Sequence, residues 1–188
     1  MINELQQSLT NKISEDNARK KLYAYLKSLG QWNIDENVAG LMDVAGGYDD
    51  RFNYFMPFIS DGLKARLLIS GCSVGSELIV AKKFGFSKIF GTEVTQEYVA
   101  IAKERLKQDT TFQIDYYDGI RLPYSDSYFT MICSGHIIEH TTSPFRYLCE
   151  HLRVLSPKGI MFLEFPNRYN FIELHTNISP FIRKTKPL

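Results

Sequence analysis

The sequence contains no apolar run that approaches the roughly 20 residues of a membrane-spanning helix, so no integral membrane segment is predicted. It has only three cysteines, Cys72, Cys133 and Cys149, and no C-x-x-C pair. An odd number without such a pair argues against a disulfide framework and a zinc site, and it is typical of reduced thiols. The N-terminus also lacks the basic and apolar regions of a signal peptide. These absences predict a cytoplasmic protein.

The sequence also lacks an excess of either positive or negative charge. The net charge is +1, and lysine and arginine are scattered apart from a short basic cluster at 183–186. This balance argues against a nucleic-acid-binding protein. With 44% hydrophobic and 23% charged residues, the 188-residue chain has the composition of a globular protein with one sizeable core. We expect a helical extension at residues 1–61 and the main domain at residues 62–188. Nothing in the composition indicates an oligomeric state.

Helical patterns fill the N-terminal extension. Apolar residues recur at helical spacing in residues 2–13, and a second helix is predicted from a cap at Asp16 or Asn17 to Gly30. The stretch Tyr48–Phe55 mixes aromatic with charged residues and leaves two interpretations open. It forms a surface helix that covers one face of a sheet, or it forms a lid whose aromatic side chains touch a ligand.

Beyond Lys64, strand patterns alternate with helical patterns. Such alternation predicts an α/β fold in which a doubly wound, mainly parallel sheet carries helices on both faces. The predicted strands are residues 66–70, 88–91, 112–116, 128–134 and 160–165. A helix that begins at Ser143 and stops at Pro157 has these apolar residues on one face: Phe145, Leu148, Leu152 and Leu155.

The first of these strands leads directly into a turn of small residues. Leu67, Leu68 and Ile69 form an apolar run, and G-C-S-V-G at residues 71–75 follows it before a short helix. Small residues let the backbone turn sharply and let a ligand approach it, so this unit predicts a nucleotide site at the carboxyl end of the strand. The pattern also suits a plain strand-to-helix connection, and it does not match the dinucleotide fingerprint G-x-G-x-x-G.

Acidic residues follow the second and third strands. Glu93 can accept hydrogen bonds from both hydroxyls of a ribose at that position; the alternative is a surface glutamate beside a helix cap. Asp118, followed by Gly119, can accept from an exocyclic amino group such as that of adenine. An ordinary Asp-Gly loop turn is the alternative there.

Two histidines follow the fourth strand, in S-G-H-I-I-E-H at residues 134–140. On a helical turn His136 and His140 would share a side, and either could act as a general base near neutral pH. A histidine that hydrogen-bonds the backbone and shapes the pocket is the other interpretation. No metal site is predicted, because the zinc-protease order H-E-x-x-H is absent.

In order and spacing, these motifs resemble the class I S-adenosylmethionine-dependent methyltransferases, and within them the type-11 methyltransferase domain. The resemblance runs from about Arg66 to Asn167 and includes Glu93. Its sequence segments are G-C-S-V-G (71–75), D-G-I-R-L-P-Y-S-D-S-Y-F (118–129), I-I-E-H (137–140), R-V-L-S-P-K-G (153–159) and F-P-N (165–167). It implies a Rossmann-like sheet and methyl transfer from S-adenosylmethionine, with S-adenosylhomocysteine as the product.

The resemblance also implies site residues. It puts the cofactor contacts at the ends of the first four strands: Gly71, Cys72, Ser73, Gly75, Glu93, Val94, Asp118, Gly119, Ser134 and Gly135. The glycine turn would lie against the methionine part and the ribose, which Glu93 would hold, and Asp118 would bind adenine. His136 and His140 are the candidate catalytic residues. The expected acceptor is a small molecule or a lipid- or sugar-linked intermediate, because no basic face indicates a nucleic acid.

Departures from the family pattern leave other functions open. Ile69 stands where the family often has an acidic residue, and Ser73 replaces the middle glycine of the turn. Only 21 residues follow Asn167, too few for the remaining helix and two strands, so we expect the C-terminal strands to be missing. One alternative is a non-catalytic or degenerate S-adenosylmethionine-binding protein. Another is a nicotinamide-dependent oxidoreductase, which Ser73 and Ser76 disfavour.

Overall fold

The computed structural model describes residues 2–45, 48–59 and 65–166, and five parallel strands form its centre. The strands are β1 (Arg66–Ser70), β2 (Lys88–Glu93), β3 (Phe112–Tyr116), β4 (Phe129–Gly135) and β5 (Leu155–Glu164). They lie in the order β3-β2-β1-β4-β5, and each neighbouring pair is parallel. The strand order reverses between β1 and β4, which opens a crevice at their carboxyl ends, where ligands bind in folds of this kind.

Helices cover both faces of the sheet, as the alternating pattern predicted. They are α1 (Ile2–Ser28), α2 (Ile34–Met42), α3 (Tyr48–Phe55), α4 (Ser76–Lys83), α5 (Gln96–Leu106) and α6 (Pro144–Val154). Successive residues of β1 point to opposite faces. Leu67 and Ile69 therefore pack in the cluster formed with α3, α4 and α5, whereas Leu68 packs in the cluster formed with α6.

The N-terminal region forms one long helix where the sequence predicted two. Asp16 and Asn17, the predicted caps of a second helix, lie inside α1. Contacts with α5 hold α1 across this point: Arg105 Nε donates to Glu15 Oε2 at 2.7 Å, and the Asn17 amide donates to Glu104 Oε1 at 3.4 Å. Tertiary packing thus continues the helix through residues whose local sequence predicted the start of a separate helix.

Part of the predicted apolar face of α6 lies in solvent. The N-terminus of α6 is as predicted, since the Ser143 hydroxyl accepts from the backbone N–H of Arg146. However, Phe145 is 76% exposed and Leu152 is 58% exposed. The residues that α6 buries instead are Tyr147, His151 and Val154. Polar groups on the sheet beneath α6 explain why this face of the helix is buried.

Strand β5 begins at Leu155, five residues earlier than the predicted Ile160. The Pro157-Lys158-Gly159 sequence, interpreted as a stop, lies within the strand. There the pairing with β4 shifts register between Phe129 and Met131, and Lys158 has a φ of +67°. A bulge of this kind absorbs extra residues and keeps the strand paired.

Some predictions concern residues outside the described ranges. Residues 167–188 are among them, so the predicted loss of the C-terminal strands stays a prediction, and so does the domain boundary at residues 61 and 62. Within the described ranges, no helix is both long and apolar enough to cross a membrane.

Candidate functional site

The turn after β1 has the tight geometry that its small residues predicted. Gly71, Ser73 and Gly75 have positive φ values of 76°, 48° and 89°. The backbone N–H groups of Gly71 and Cys72 both donate to the Thr92 carbonyl, at 2.8 and 2.9 Å, which ties the turn to β2. A methyl group added at Gly71 would overlap the Ile137 side chain. Glycine is therefore required at this position on steric grounds and for its backbone angle.

Glu93, at the end of β2, is a nearly buried carboxylate held by three backbone N–H groups. Oε1 accepts from Val94 and Thr95 at 2.8 and 3.0 Å, and Oε2 accepts from Ser73 at 3.0 Å. Glu93 is only 8% exposed, so it is not the surface glutamate considered as an alternative. A carboxylate offers about four acceptor positions. Three are used, which leaves about one position on Oε2 for a ligand hydroxyl.

Ser73 brings a second hydroxyl-binding group to the same place. Its N–H binds Glu93 Oε2, while its Oγ is buried without a hydrogen-bond partner in the described part of the chain. A buried polar atom without a partner is costly unless a ligand or water satisfies it. Glu93 and Ser73 are therefore suited to bind two neighbouring hydroxyl groups, such as those of a ribose. The sequence named Ser73 as a cofactor contact and as a departure from the family pattern, but it did not indicate the role of its hydroxyl.

Asp118 and Gly119 lie in an exposed loop just beyond β3. Asp118 Oδ1 accepts from the N–H groups of Ile120 and Arg121, both at 2.8 Å. These backbone hydrogen bonds, with that of Arg121 the strongest contribution, lower the pKa of the Asp118 carboxyl. The contacts form the ordinary loop turn considered above and keep the group ionised, so the adenine contact stays a prediction.

His136 and His140 do not share a helical side. A single 3-10 turn spans Ile138–His140, and His136 precedes it with a left-handed φ of +57°. The ring of His136 lies between two carboxylates: Nε2 is 3.3 Å from Glu164 Oε1, and Nδ1 is 3.4 Å from Glu139 Oε1. His140 is exposed. Of the two histidines, His136 thus has the more organised surroundings for proton transfer.

Arg51 on α3 is a central residue that the sequence did not single out. Its Nη1 donates to Glu77 Oε1 and its Nε donates to Glu164 Oε2, both at 2.7 Å. Burial disfavours the charge of Arg51, but these carboxylates raise its pKa above the ordinary value. The guanidinium also covers Gly135, where a methyl group would overlap it. Arg51 therefore joins α3 to α4 and to the ends of β4 and β5.

Helix α3 also packs into the core, which supports its interpretation as a covering helix. Phe52 is fully buried and stacks on Phe84, with ring centroids 5.3 Å apart. Tyr54 on the same helix is 73% exposed. Whether such aromatic side chains touch a ligand stays a prediction.

A buried chain of hydrogen bonds lies under the carboxyl ends of β1 and β4. His151 Nδ1 is 2.7 Å from the Tyr147 carbonyl, which can only accept, so the proton is assigned to Nδ1. Nε2 then accepts from Ser70 Oγ at 2.9 Å, and Ser70 accepts from the Tyr147 hydroxyl at 3.0 Å. The Ser134 hydroxyl completes the chain, 2.7 Å from that of Tyr147.

This network explains the orientation of α6 and changes the expected role of Ser134. Ser70 and Ser134 point toward α6, where the polar groups of Tyr147 and His151 satisfy them. The Ser134 side chain is fully buried in this contact, so any contact of Ser134 with a ligand would come from its backbone. Burial lowers the pKa of His151 to about 4 and keeps the ring neutral.

A cleft of about 510 Å³ opens between α3 and the carboxyl end of β5. We call it the α3–β5 cleft, and its lining residues are Asp50, Arg51, Tyr54, Phe162, Leu163, Glu164 and Phe165. Arg51 contributes to this lining and also covers Gly135. The cleft is therefore adjacent to the candidate cofactor residues but does not include the glycine turn or Glu93. Among the described residues, no group of three or more His, Cys, Asp and Glu side chains could hold a metal ion.

Comparison with known proteins identifies relatives of this arrangement. A family model described as a methyltransferase domain matches residues 68–163. Ajmaline N-methyltransferase from Rauvolfia serpentina is 26% identical over 127 residues, which cover 64% of this chain and 40% of that protein. This chain therefore spans less than half the length of that relative.

Solved structures support the same fold. A SAM-dependent methyltransferase from Aquifex aeolicus has a TM-score of 0.59 at 18% identity, over 85% of this chain and 79% of that one. A cyclase named SpnF has a TM-score of 0.56 at 25% identity, over 64% of this chain and 47% of that one.

Proposed function

The chain belongs to the family of methyltransferase domains, and from that premise we propose that it transfers a methyl group from S-adenosylmethionine to a small-molecule or lipid- or sugar-linked acceptor. The observation that carries this proposal is the meeting of polar groups at the ends of β1, β2 and β3. The Ser73 N–H binds the Glu93 side chain, and the Tyr117 N–H binds the Glu93 carbonyl at 3.0 Å. The turn, Glu93 and the Asp118 loop thus form one continuous edge.

The residues at this edge fit the cofactor. Glu93 Oε2 and the buried Ser73 hydroxyl would bind the ribose hydroxyls. The Asp118 carboxylate, ionised and exposed, would accept from the adenine amino group, and the crowded backbone at Gly71 would lie against the methionine part. The ribose and adenine roles use hydrogen-bonding positions that the described residues leave available, which is why we favour this cofactor.

The chemistry demands little of the protein beyond alignment. When bound, S-adenosylmethionine supplies a methyl group to the acceptor's electron pair, and the carbon–sulfur pair stays on sulfur as S-adenosylhomocysteine is released. The chain's own residues would orient the two reactants and exclude water. The His136 ring would accept a proton from an oxygen or nitrogen acceptor, with Glu164 and Glu139 stabilising the charged ring.

The relatives' names bear on the acceptor and on a second function. An N-methyltransferase relative supports a small-molecule acceptor. A relative named as a cyclase supports the alternative that the chain binds the cofactor without transferring its methyl group. Ile69 favours this alternative as well, because it is fully buried in the core and offers no polar group to the ligand. The non-catalytic alternative would be supported if the chain binds the cofactor but releases no S-adenosylhomocysteine with any member of a broad acceptor panel.

A calorimetric titration with S-adenosylmethionine and S-adenosylhomocysteine tests the site. We expect Glu93→Gln to weaken binding about tenfold or more, because a ligand hydroxyl loses its charged acceptor. The amide oxygen can still accept from Val94 and Thr95, while the amide NH2 group would face the Ser73 N–H, which loses its acceptor. Glu97→Gln is the matched control, since this exposed glutamate lies on the next helix and its change should leave affinity unaltered.

Two results would count against the proposed function. One is a folded wild-type chain, verified by circular dichroism, that binds neither ligand. The other is binding of NADH in preference to both, which would return the oxidoreductase alternative.

A further inference from the structure

The α3–β5 cleft lies where an acceptor would have to approach the methyl group. Its wall residue Arg51 covers Gly135, and its wall residue Glu164 is 3.3 Å from His136. Gly135 and His136 are at the end of β4, on the side of the crevice away from Glu93 and Asp118. A molecule in the cleft would therefore reach the expected cofactor from the end opposite its adenine.

The charges around this cleft disfavour an anionic occupant. Asp50 and Glu164 supply negative charge, and Arg51 is the single cation among the described lining residues. Arg51 already donates to two carboxylates, Glu77 and Glu164. A phosphate or carboxylate would have to displace one of these partners and leave it without its cation, at substantial cost for the nearly buried Glu77.

Exposed aromatic rings also line the cleft. Tyr54 is 73% exposed and Phe165 is 56% exposed, one from α3 and one from the end of β5. Such rings bind apolar groups, and their faces also attract cations. An exposed carboxylate such as that of Asp50 adds to this attraction.

We propose that the α3–β5 cleft is the acceptor site and that it takes a protonated amine attached to an apolar or aromatic body. This inference rests on the proposed function for the methyl transfer itself, but the choice of ligand rests on the cleft alone. Asp50 and the rings bind the ammonium group, and the apolar wall of Phe162 and Leu163 receives the body. Before its nitrogen can act as a nucleophile, the ammonium must lose one proton, and the His136 ring beside Glu164 at the border of the cleft would accept it.

Binding of three matched probes to the full chain tests the proposal: phenethylamine, phenethyl alcohol and phenylacetate. The titrations are followed by ligand-observed NMR at low salt and without cofactor, so their outcome does not depend on S-adenosylmethionine binding. We expect phenethylamine to bind about fivefold more tightly than the alcohol, since an exposed ion pair and a cation–π contact each contribute up to about 1 kcal/mol. Phenylacetate should bind more weakly than both.

Variants then locate the ammonium group. Asp50→Asn should reduce the fivefold preference for phenethylamine to about twofold, because the cation–π contact remains, and should leave the affinity for phenethyl alcohol unchanged. Asp35→Asn is the control, because this exposed aspartate is in the first turn of α2, away from the cleft lining. Tyr54→Leu should weaken binding of the amine more than binding of the alcohol, and because Tyr54 is largely exposed the fold should be unchanged, which circular dichroism verifies.

The proposal is overturned if phenethylamine binds no better than phenylacetate, or if its affinity survives Asp50→Asn unchanged. A preference for the amine together with failure to bind S-adenosylmethionine would support the cleft assignment and sink the proposed methyl transfer. The two conclusions are thereby separated by independent measurements.

Discussion

The buried ring of His151 should make the stability of this protein fall in mildly acidic solution. Folding lowers the pKa of His151 from 6.5 to about 4, because the ring is buried. One pKa unit corresponds to about 1.4 kcal/mol, so protonation disfavours the folded state by up to about 3 kcal/mol. The unfolded chain takes up this proton more readily, and the free energy of unfolding therefore falls as the pH drops from about 6.5 to about 4.

The expected loss is large enough to measure. Between about pH 7 and pH 5, His151 alone should lower the free energy of unfolding by about 2 kcal/mol. Carboxyl groups whose pKa values are lowered by their partners, such as Glu150 beside Arg153, lose their contribution only at lower pH. The window above about pH 5 therefore reports mainly on histidine.

Urea unfolding followed by circular dichroism, at several pH values, provides the assay. His151→Gln keeps an acceptor for the Ser70 hydroxyl but cannot take up a proton in this range. It should be less stable at neutral pH through imperfect packing, yet its stability should vary about 2 kcal/mol less between pH 7 and pH 5. His140→Gln, at an exposed position, should retain the wild-type slope. Equal slopes for the wild type and His151→Gln, or an NMR titration of His151 near 6.5, would refute the reasoning.

Two further predictions concern Arg51 and Gly71. Arg51→Met should lower the free energy of unfolding by about 3 kcal/mol or more, because the nearly buried Glu77 carboxylate loses its cation. Urea unfolding near neutral pH measures this change. A loss below about 1 kcal/mol would show that the fold does not depend on this ion pair. Gly71→Ala should be clearly more destabilising than Gly119→Ala, which isolates the steric overlap with Ile137. Both glycines have φ near +80°, but an added methyl group at Gly119 meets nothing within 4 Å. Equal losses in thermal unfolding would mean that backbone strain alone matters at both positions.

Local sequence features determined the bounds of two strands and the turn after β1. Strands β1 and β3 have the predicted bounds, Arg66–Ser70 and Phe112–Tyr116. Strand β1 is a short apolar run that the sheet buries, whereas apolar and polar residues alternate in β3. The small residues at 71–75 permit the positive φ angles of the turn. The position of Glu93 beside this turn followed as well, because carboxyl ends of neighbouring parallel strands meet at one edge.

The tertiary structure alone decided which helix faces are buried and which distant charges meet. A helical pattern shows that Phe145 and Leu152 share a side, but the buried serines of β1 and β4 select the side with Tyr147 and His151. Arg51 binds residues 26 and 113 positions away in the chain, and no local periodicity indicates such partners. Hydrophobic patterning acts through near neighbours, whereas polar pairing depends on which strands and helices the completed sheet brings together.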